Sequence, residues 1–180
     1  TILGWVVFAI AFITYLSTIE PNFSFWDCGE YISSAVKLEV THAPGAALFQ
    51  LIGAVAAIFG FGDPSKYSVI INAMSALFSA FTILFLFWTI THLVRRLLNK
   101  DFEEVTFTEE ISILFAGVIG ALSFTFSDTF WFSAVEGEVY SMASMFIALL
   151  VWLITKWENE YHEKDNERWL ILIFFITGLS

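Results

Sequence analysis

The sequence is short of most of what a soluble domain is built from. Only 14% of its 180 residues are charged, where a soluble globular domain carries about 25%. The single cysteine, Cys28, excludes an internal disulfide framework and any CxxC metal site. There are three prolines, Pro21, Pro44 and Pro64, each at the edge of an apolar block, where proline punctuates helices. Basic residues are scarce, with 8 Lys and Arg against 18 Asp and Glu and a formal net charge of −10. That balance excludes a nucleic-acid partner, but it does not orient the chain in a membrane, because topology follows Lys and Arg rather than net charge. The sequence has no Gly-rich phosphate loop, HExxH or GxSxG motif, and no internal repeat or low-complexity tract.

What is present is hydrophobic residue in long blocks. Hydrophobic residues make up 58% of the chain, and the mean hydropathy is +0.76. The blocks run over 2–19, 45–61, 67–91, 111–127 and 139–157, with a further one from 169, and the charges gather between them. A bilayer core about 30 Å thick takes about 20 apolar residues of helix, and several blocks reach that length. The 21 Phe and 7 Trp fit this setting, with many Trp and Tyr near block ends as interfacial anchors. The expected fold class is therefore an all-α, polytopic integral membrane protein whose first partner is the lipid bilayer. The first block lacks a basic leader and a small-x-small cleavage site, so it reads as a retained helix. The last block, 169–180, rises only about 18 Å, so the natural protein is expected to continue beyond it.

Block 45–61 decides the topology. Its 17 residues rise about 25 Å, a borderline length, and Gln50 interrupts it. If it does not cross and the N-terminus is cytoplasmic, the cytoplasmic segments hold Arg95, Arg96, Lys100, Lys156, Lys164 and Arg168, and the external ones only Lys37 and Lys66. That bias obeys the positive-inside rule and vanishes if the block crosses. The spacing thus favours an external loop over 20–66 with interfacial or re-entrant helices at about 27–40 and 45–61. Such a segment is tolerated at membrane depth where protein or a water-filled cavity surrounds it. This topology puts Asp27, Glu30 and His42 on the same face as Asp128, Glu136 and Glu138.

Three constellations carry chemistry. In Phe23-Ser24-Phe25-Trp26-Asp27-Cys28-Gly29-Glu30-Tyr31, Asp27 and Glu30 are spaced i, i+3 and share a helix face. Ser24 or Asp27 can serve as N-cap, which is the plain structural reading. Aromatic crowding would raise the carboxylates toward the range of a base for an acceptor hydroxyl. In Thr41-His42-Ala43-Pro44-Gly45, His42 precedes a turn and is either a structural hydrogen bonder or a phosphate-binding imidazolium. In Ser127 to Tyr140, Glu136 and Glu138 can converge on Mg²⁺ or Mn²⁺, hydrogen-bond a sugar, or form an acidic lip with Glu138 capping the next helix. The mixed-charge runs Asp101 to Glu110 and Glu158 to Arg168 read as solvated loops.

The strings SFWDCGEY, HAPG and SDTFWFSAVEGEVY resemble the N-terminal membrane region of glycosyltransferase family 117. This family is common in Bacteroidota and has an animal relative in the transmembrane-protein-260 type of protein O-mannosyltransferase. The resemblance covers nearly the whole chain, with Ala43 and Ala47 where the family usually has proline. It implies a GT-C fold, of which this chain would be the N-terminal part. It also implies a polyprenyl-phosphate-linked sugar as donor and transfer on the extracytoplasmic face, which in a bacterium is the periplasmic side of the inner membrane. Asp27 stands at the matching place for a catalytic acid in the first external loop.

The function expected is a membrane-embedded, inverting glycosyltransferase moving a mannose-like sugar to a Ser/Thr or other hydroxyl of an acceptor protein. Asp27 would be general base and Glu30 its assistant. His42 and Lys37 would meet the donor phosphate, and Trp26, Glu136, Glu138 and Tyr140 the sugar or acceptor. A His or Lys cation could stabilise the leaving phosphate without a metal, so metal dependence is open, with Glu136 and Glu138 as candidate ligands of Mg²⁺ or Mn²⁺. The rival is a non-catalytic scaffold or transporter subunit. It fits less well, since a transporter places ionisable or broken elements near the bilayer midplane, and here the acids lie at block ends.

Overall fold

A computed structural model describes residues 2–43, 45–98, 105–162 and 167–179. Pro44, Lys100 and Lys164, used above to read a turn and the topology, lie outside them, as do parts of the two mixed-charge runs. Among the described residues the chain is helical, with no strand. The helices are α1 (Ile2–Ser17), α2 (Cys28–Lys37), α3 (Ala47–Ala57), α4 (Tyr67–Leu97), α5 (Phe107–Thr125), α6 (Asp128–Ala134), α7 (Val139–Asn159) and α8 (Glu167–Leu179). A helix satisfies its own backbone polar groups, which lipid cannot, so apolar blocks of this length have little choice of structure.

Among the described residues, three helices are long and apolar enough to cross a membrane: Pro64–Leu97, Phe107–Thr125 and Val139–Asn159. The segments Ile2–Ser17 and Ala47–Gly60 are shorter, rising about 24 and 21 Å. The protein is thus an all-α membrane protein organised on α4, which packs against α1, α5 and α7. Small side chains make the close approach. Ala76 and Ala80 of α4 are fully buried against Val7, Ala11 and Tyr15 of α1 and Ala121 of α5. Gly117 of α5 meets Thr91 and Phe87 so closely that a Cβ there would lie 2.5 Å from Thr91 Cγ2. Where lipid removes the hydrophobic drive between helices, such small-residue contacts supply the packing.

The ends of the helices define two poles. At one, the Tyr15 hydroxyl of α1 donates to the Thr125 carbonyl of α5 at 3.0 Å, and Asn72 Nδ2 of α4 donates to the carbonyls of Glu20 (2.7 Å) and Asn22 (2.9 Å). The chain therefore leaves α1 and enters α4 at the same end of the bundle. Between them α2 and α3 pack on each other and on α4. At the other pole Asn159 of α7 bonds His92 of α4 at 3.2 Å, and Arg95 and Arg96 pair with Glu110 and Glu158.

Several boundaries differ from the apolar blocks, for local reasons. Helix α4 continues to Leu97 because Arg95 and Arg96 have carboxylate partners beyond the apolar stretch. Helix α5 starts earlier, at Phe107, on a capping box in which Thr106 and Glu109 satisfy each other's backbone N–H groups. Helix α2 ends at Lys37 because Leu38 turns left-handed at φ 56°, donating to the Ala35 carbonyl while Glu39 donates to that of Ser34. The stretch 128–134, which falls between two apolar blocks, is helix α6, drawn in by burial of Phe130 and Ala134 against the α1, α4 and α5 core.

Candidate functional site

Asp27 stands at the N-cap of α2, yet its side chain makes no capping bond. The carboxylate is left half exposed beside His42, with Oδ2 3.8 Å from Nε2. Glu30, one turn further on, holds His42 twice. Its Oε1 accepts from the His42 backbone N–H at 2.7 Å, and its Oε2 faces Nδ1 at 3.0 Å. The turn that delivers His42 is closed by the Gly45 N–H on the His42 carbonyl at 2.8 Å, with Gly45 at φ 72°, a conformation natural to glycine. The imidazole therefore bridges two carboxylates. Hydrogen bonds from His42 hold Glu30 below the usual carboxylate range, and the same bonds, with the charges of Glu30 and Asp27, raise His42.

The residue before Asp27 is strained. Trp26 takes φ 59°, a left-handed conformation that costs a bulky residue roughly 1–2 kcal/mol. Its side chain and that of Phe25 are each 89% exposed, a pair of aromatics pointing out of the loop that carries the acid.

The second acidic loop is pinned onto the first. The Glu20 N–H donates to the Val135 carbonyl at 3.1 Å, and the Ser24 hydroxyl donates to Glu136 Oε2. Gly137 lies flat on this junction: a Cβ there would stand 3.0 Å from Asn72 Oδ1 and 3.1 Å from both Ile32 and Ile71. Glu136 and Glu138 are both 6% exposed. Burial first, then the charges of Glu138 and Glu20, push Glu136 up to about 7. Burial likewise raises Glu138, with the Asp27 charge adding to it.

Between the loops opens a cavity of about 710 Å³ with two kinds of wall. Asp27, Tyr31, His42, Glu138 and Tyr140 line its polar part. Met142, Phe146, Ile147 and Leu150 continue it along α7, with Leu48 and Phe49 of α3 and Leu179 of α8 beside them. From Glu138 to Leu150 the helix rises about 18 Å, so a polar pocket runs into an apolar gutter one lipid leaflet deep.

The candidate residues thus sort themselves. Asp27, Glu30 and His42 form one cluster, and Glu138 and Tyr140 share the cavity with Asp27 and His42. Glu136 bonds Ser24 and does not line the cavity. Lys37 lies at the far end of α2, about 15 Å along the axis from Asp27, and also outside the lining. Asp27, Glu30 and His42 bring ligand atoms within 4.8 Å of one another, an O, O, N set suited to a divalent cation. The two glutamates singled out for a metal in the sequence are not in that set.

Two residues escaped the sequence reading. Tyr31 lies 6.0 Å from the His42 ring and 5.7 Å from Phe49, centroid to centroid, and lines the cavity. Its spacing of i+4 from Asp27 was the available signal. Asn72 ties the loops together from inside an apolar block, and a lone amide in such a block is itself a flag.

Comparison with known proteins adds the following. Residues 27–180 match the family described as the protein O-mannosyl-transferase TMEM260 N-terminal domain. The chain is 30% identical over 167 residues to a Dictyostelium discoideum protein named protein O-mannosyl-transferase tmem260, covering 91% of this chain and 18% of that one. It is also 30% identical over 175 residues to the Mus musculus protein O-mannosyl-transferase TMEM260, covering 97% of this chain and 22% of that one. The chain spans about a fifth of the length of these relatives. No solved structure matches it.

Proposed function

This chain belongs to the family of protein O-mannosyl-transferase TMEM260 N-terminal domains, and from that premise we propose that it is the N-terminal, site-bearing part of a GT-C glycosyltransferase. The enzyme transfers a mannose-like sugar from a polyprenyl phosphate to a hydroxyl of an acceptor protein. The observation that carries this reading is the two-part cavity, with acids and a histidine at one end and an apolar gutter on α7 at the other. A polyprenyl-phosphate sugar has the same two parts in the same order. The loop 20–66, including α3, lies on one side of the bilayer in this reading, and the site faces the extracytoplasmic side.

Asp27 acts as general base, since its carboxylate is not consumed by helix capping and lines the cavity. The acceptor oxygen attacks the anomeric carbon and forms the new glycosidic bond. The carbon–oxygen bond to the phosphate breaks with inversion, and the hydroxyl proton passes to Asp27. The leaving polyprenyl phosphate takes the electron pair and is met by His42, whose protonated form the Glu30 hydrogen bond and charge favour. Glu30 orients His42 through its two contacts, rather than orienting Asp27. Glu138 and Tyr140 contact sugar or acceptor. Lys37 is too distant along α2 to meet the same phosphate. A divalent ion held by Asp27, Glu30 and His42 is the alternative means of neutralising it, and would have to displace the Glu30–His42 bond.

The test is Asp27→Asn in the full-length protein, assayed for sugar transfer from a polyprenyl-phosphate donor to acceptor protein in membranes. General-base loss costs about 10²–10⁴-fold in rate. Near-full activity would end the assignment. A non-catalytic scaffold would show no transfer in the wild type either.

A further inference from the structure

Tyr31 lines the sugar-transfer cavity, and the chemistry assigned above gives it no part. It stands on α2 four residues after Asp27, a spacing that puts both on one helix face. Its ring sits between the two halves of the cavity. One neighbour is the His42 imidazole, 6.0 Å away between centroids, and the other is Phe49 of α3 at 5.7 Å, edge to face. His42 belongs to the polar end and Phe49 to the wall beside the apolar gutter, so Tyr31 marks the seam between them. Packing fixes the ring there, with Tyr31 only 7% exposed.

The phenol hydroxyl, by contrast, is uncommitted. It makes no hydrogen bond with any of the described residues, although the charges of Glu138, Asp27 and Glu30 act on it. Burial first, then those charges and Tyr140, raise Tyr31 above the usual phenol value, so the oxygen keeps its proton and is a donor at neutral pH. The Thr41 hydroxyl also lacks a partner and is sealed from solvent. The Tyr31 hydroxyl is not sealed, and its side chain belongs to the cavity wall. A buried donor left unmet is costly until a ligand or water meets it. A phosphate entering this pocket stands beside three carboxylates, Asp27, Glu30 and Glu138, and among the described residues finds one imidazole as cation. A neutral O–H aimed at it adds a charge-assisted hydrogen bond without bringing further negative charge.

We propose that Tyr31 binds the phosphate of the lipid-linked sugar donor, its hydroxyl donating to a phosphate oxygen at the seam where the polar pocket meets the gutter. The phosphate is the part of such a donor that lies between sugar and hydrocarbon, as Tyr31 lies between His42 and Phe49. This inference rests on the donor class proposed above and adds a residue to its recognition. Negative charge on the phosphate grows as its bond to the sugar breaks and the electron pair moves onto oxygen. The hydrogen bond therefore strengthens toward the transition state, and Tyr31 acts on kcat as well as on donor affinity.

The experiment compares wild type with Tyr31→Phe in the full-length protein in nanodiscs. Binding is measured for polyprenyl phosphate, for polyprenyl-phosphate mannose and for polyprenol of the same chain length, alongside sugar transfer to acceptor protein. Phenylalanine keeps the ring against His42 and Phe49 and removes only the hydroxyl. The variant is expected to bind polyprenyl phosphate about tenfold more weakly or worse, the scale of one hydrogen bond to a charged group, and to lose kcat by a similar factor. Its binding of polyprenol is expected to be unchanged, which also shows that the cavity is folded. Equal binding of polyprenyl phosphate by the two proteins overturns the proposal. So does an equal loss of phosphate and alcohol, which would make Tyr31 a packing residue. Weaker binding of the mannose donor with polyprenyl phosphate unaffected overturns it too, since the hydroxyl would then meet the sugar. A wild type that transfers no sugar, yet holds polyprenyl phosphate in a Tyr31-dependent way, upholds the phosphate contact while the transferase reading falls.

Discussion

Glu136→Gln tests the coupling of the two acidic loops through a titration. Burial and two neighbouring glutamates lift Glu136 from an ordinary value of 4.5 to about 7. Between those values the folded protein holds a proton on Glu136 that the unfolded chain has lost. Stability therefore falls as pH rises from 4.5 through 7, and the whole penalty is present above 7. A shift of that size corresponds to about 3 kcal/mol at most; water reaching a loop carboxylate reduces it to about 1–2 kcal/mol. Glutamine keeps the shape and an acceptor for the Ser24 hydroxyl and carries no charge. The variant and wild type should melt together at pH 4, below the ordinary value of 4.5, and the variant should melt higher at pH 8.5. At about 2–4 °C per kcal/mol the gap is about 2–8 °C, opening as pH rises above 4.5 and complete above 7. The assay is thermal unfolding in detergent or nanodiscs at half-unit steps of pH. A gap that is constant from pH 5 to pH 9, or a variant less stable throughout, would refute the titration and the burial of Glu136 behind it.

Further outcomes follow from the same geometry. Gly137→Ala must push a Cβ against Asn72, Ile32 and Ile71 and should destabilise the protein by about 1–3 kcal/mol, read as a lower melting temperature and lost sugar transfer. Glu30→Gln removes the partner that raises His42; if the imidazolium meets the leaving phosphate, activity falls as pH rises through the His42 titration, and the variant should show that fall at lower pH. An unshifted alkaline limb would count against the role of His42. Tyr15→Phe deletes the hydroxyl bonded to the Thr125 carbonyl and should cost about 0.5–1.5 kcal/mol in melting experiments without changing the pH profile of transfer.

The helices were legible because each apolar block has little alternative to helix in lipid. Their ends were less so. The Thr106–Glu109 box has a readable spacing, but it sits inside a charged run whose composition reads as solvated loop. The left-handed Leu38 that stops α2 has no glycine to announce it. The short α6 is a consequence of packing: seven residues are too few for periodicity to register, and Phe130 and Ala134 earn their burial only once α1 and α5 are in place. At the site, Asp27 and Glu30 were legible as a pair from i, i+3 spacing. That Glu30 serves His42 was not, because the chain between them turns back at Leu38, whose left-handed conformation no glycine announces.

Composition by itself determined that this is a helical membrane protein, since the free energy of burying backbone polar groups in lipid depends on block length and apolarity and on nothing distant. The tryptophan–aspartate–cysteine–glycine–glutamate string also marked the family, because motif identity is local. Only the tertiary structure decided which carboxylates meet. Ser24 and Glu136 stand 112 residues apart, and their contact exists because α1, α4, α5 and α7 place four helix ends at one pole. The same packing put Glu138 into the cavity and Glu136 behind its wall, although both are acids two residues apart. It also left Lys37 out of reach. Charge and spacing could nominate these residues, but the choice among them belongs to long-range packing, which a one-dimensional pattern does not encode.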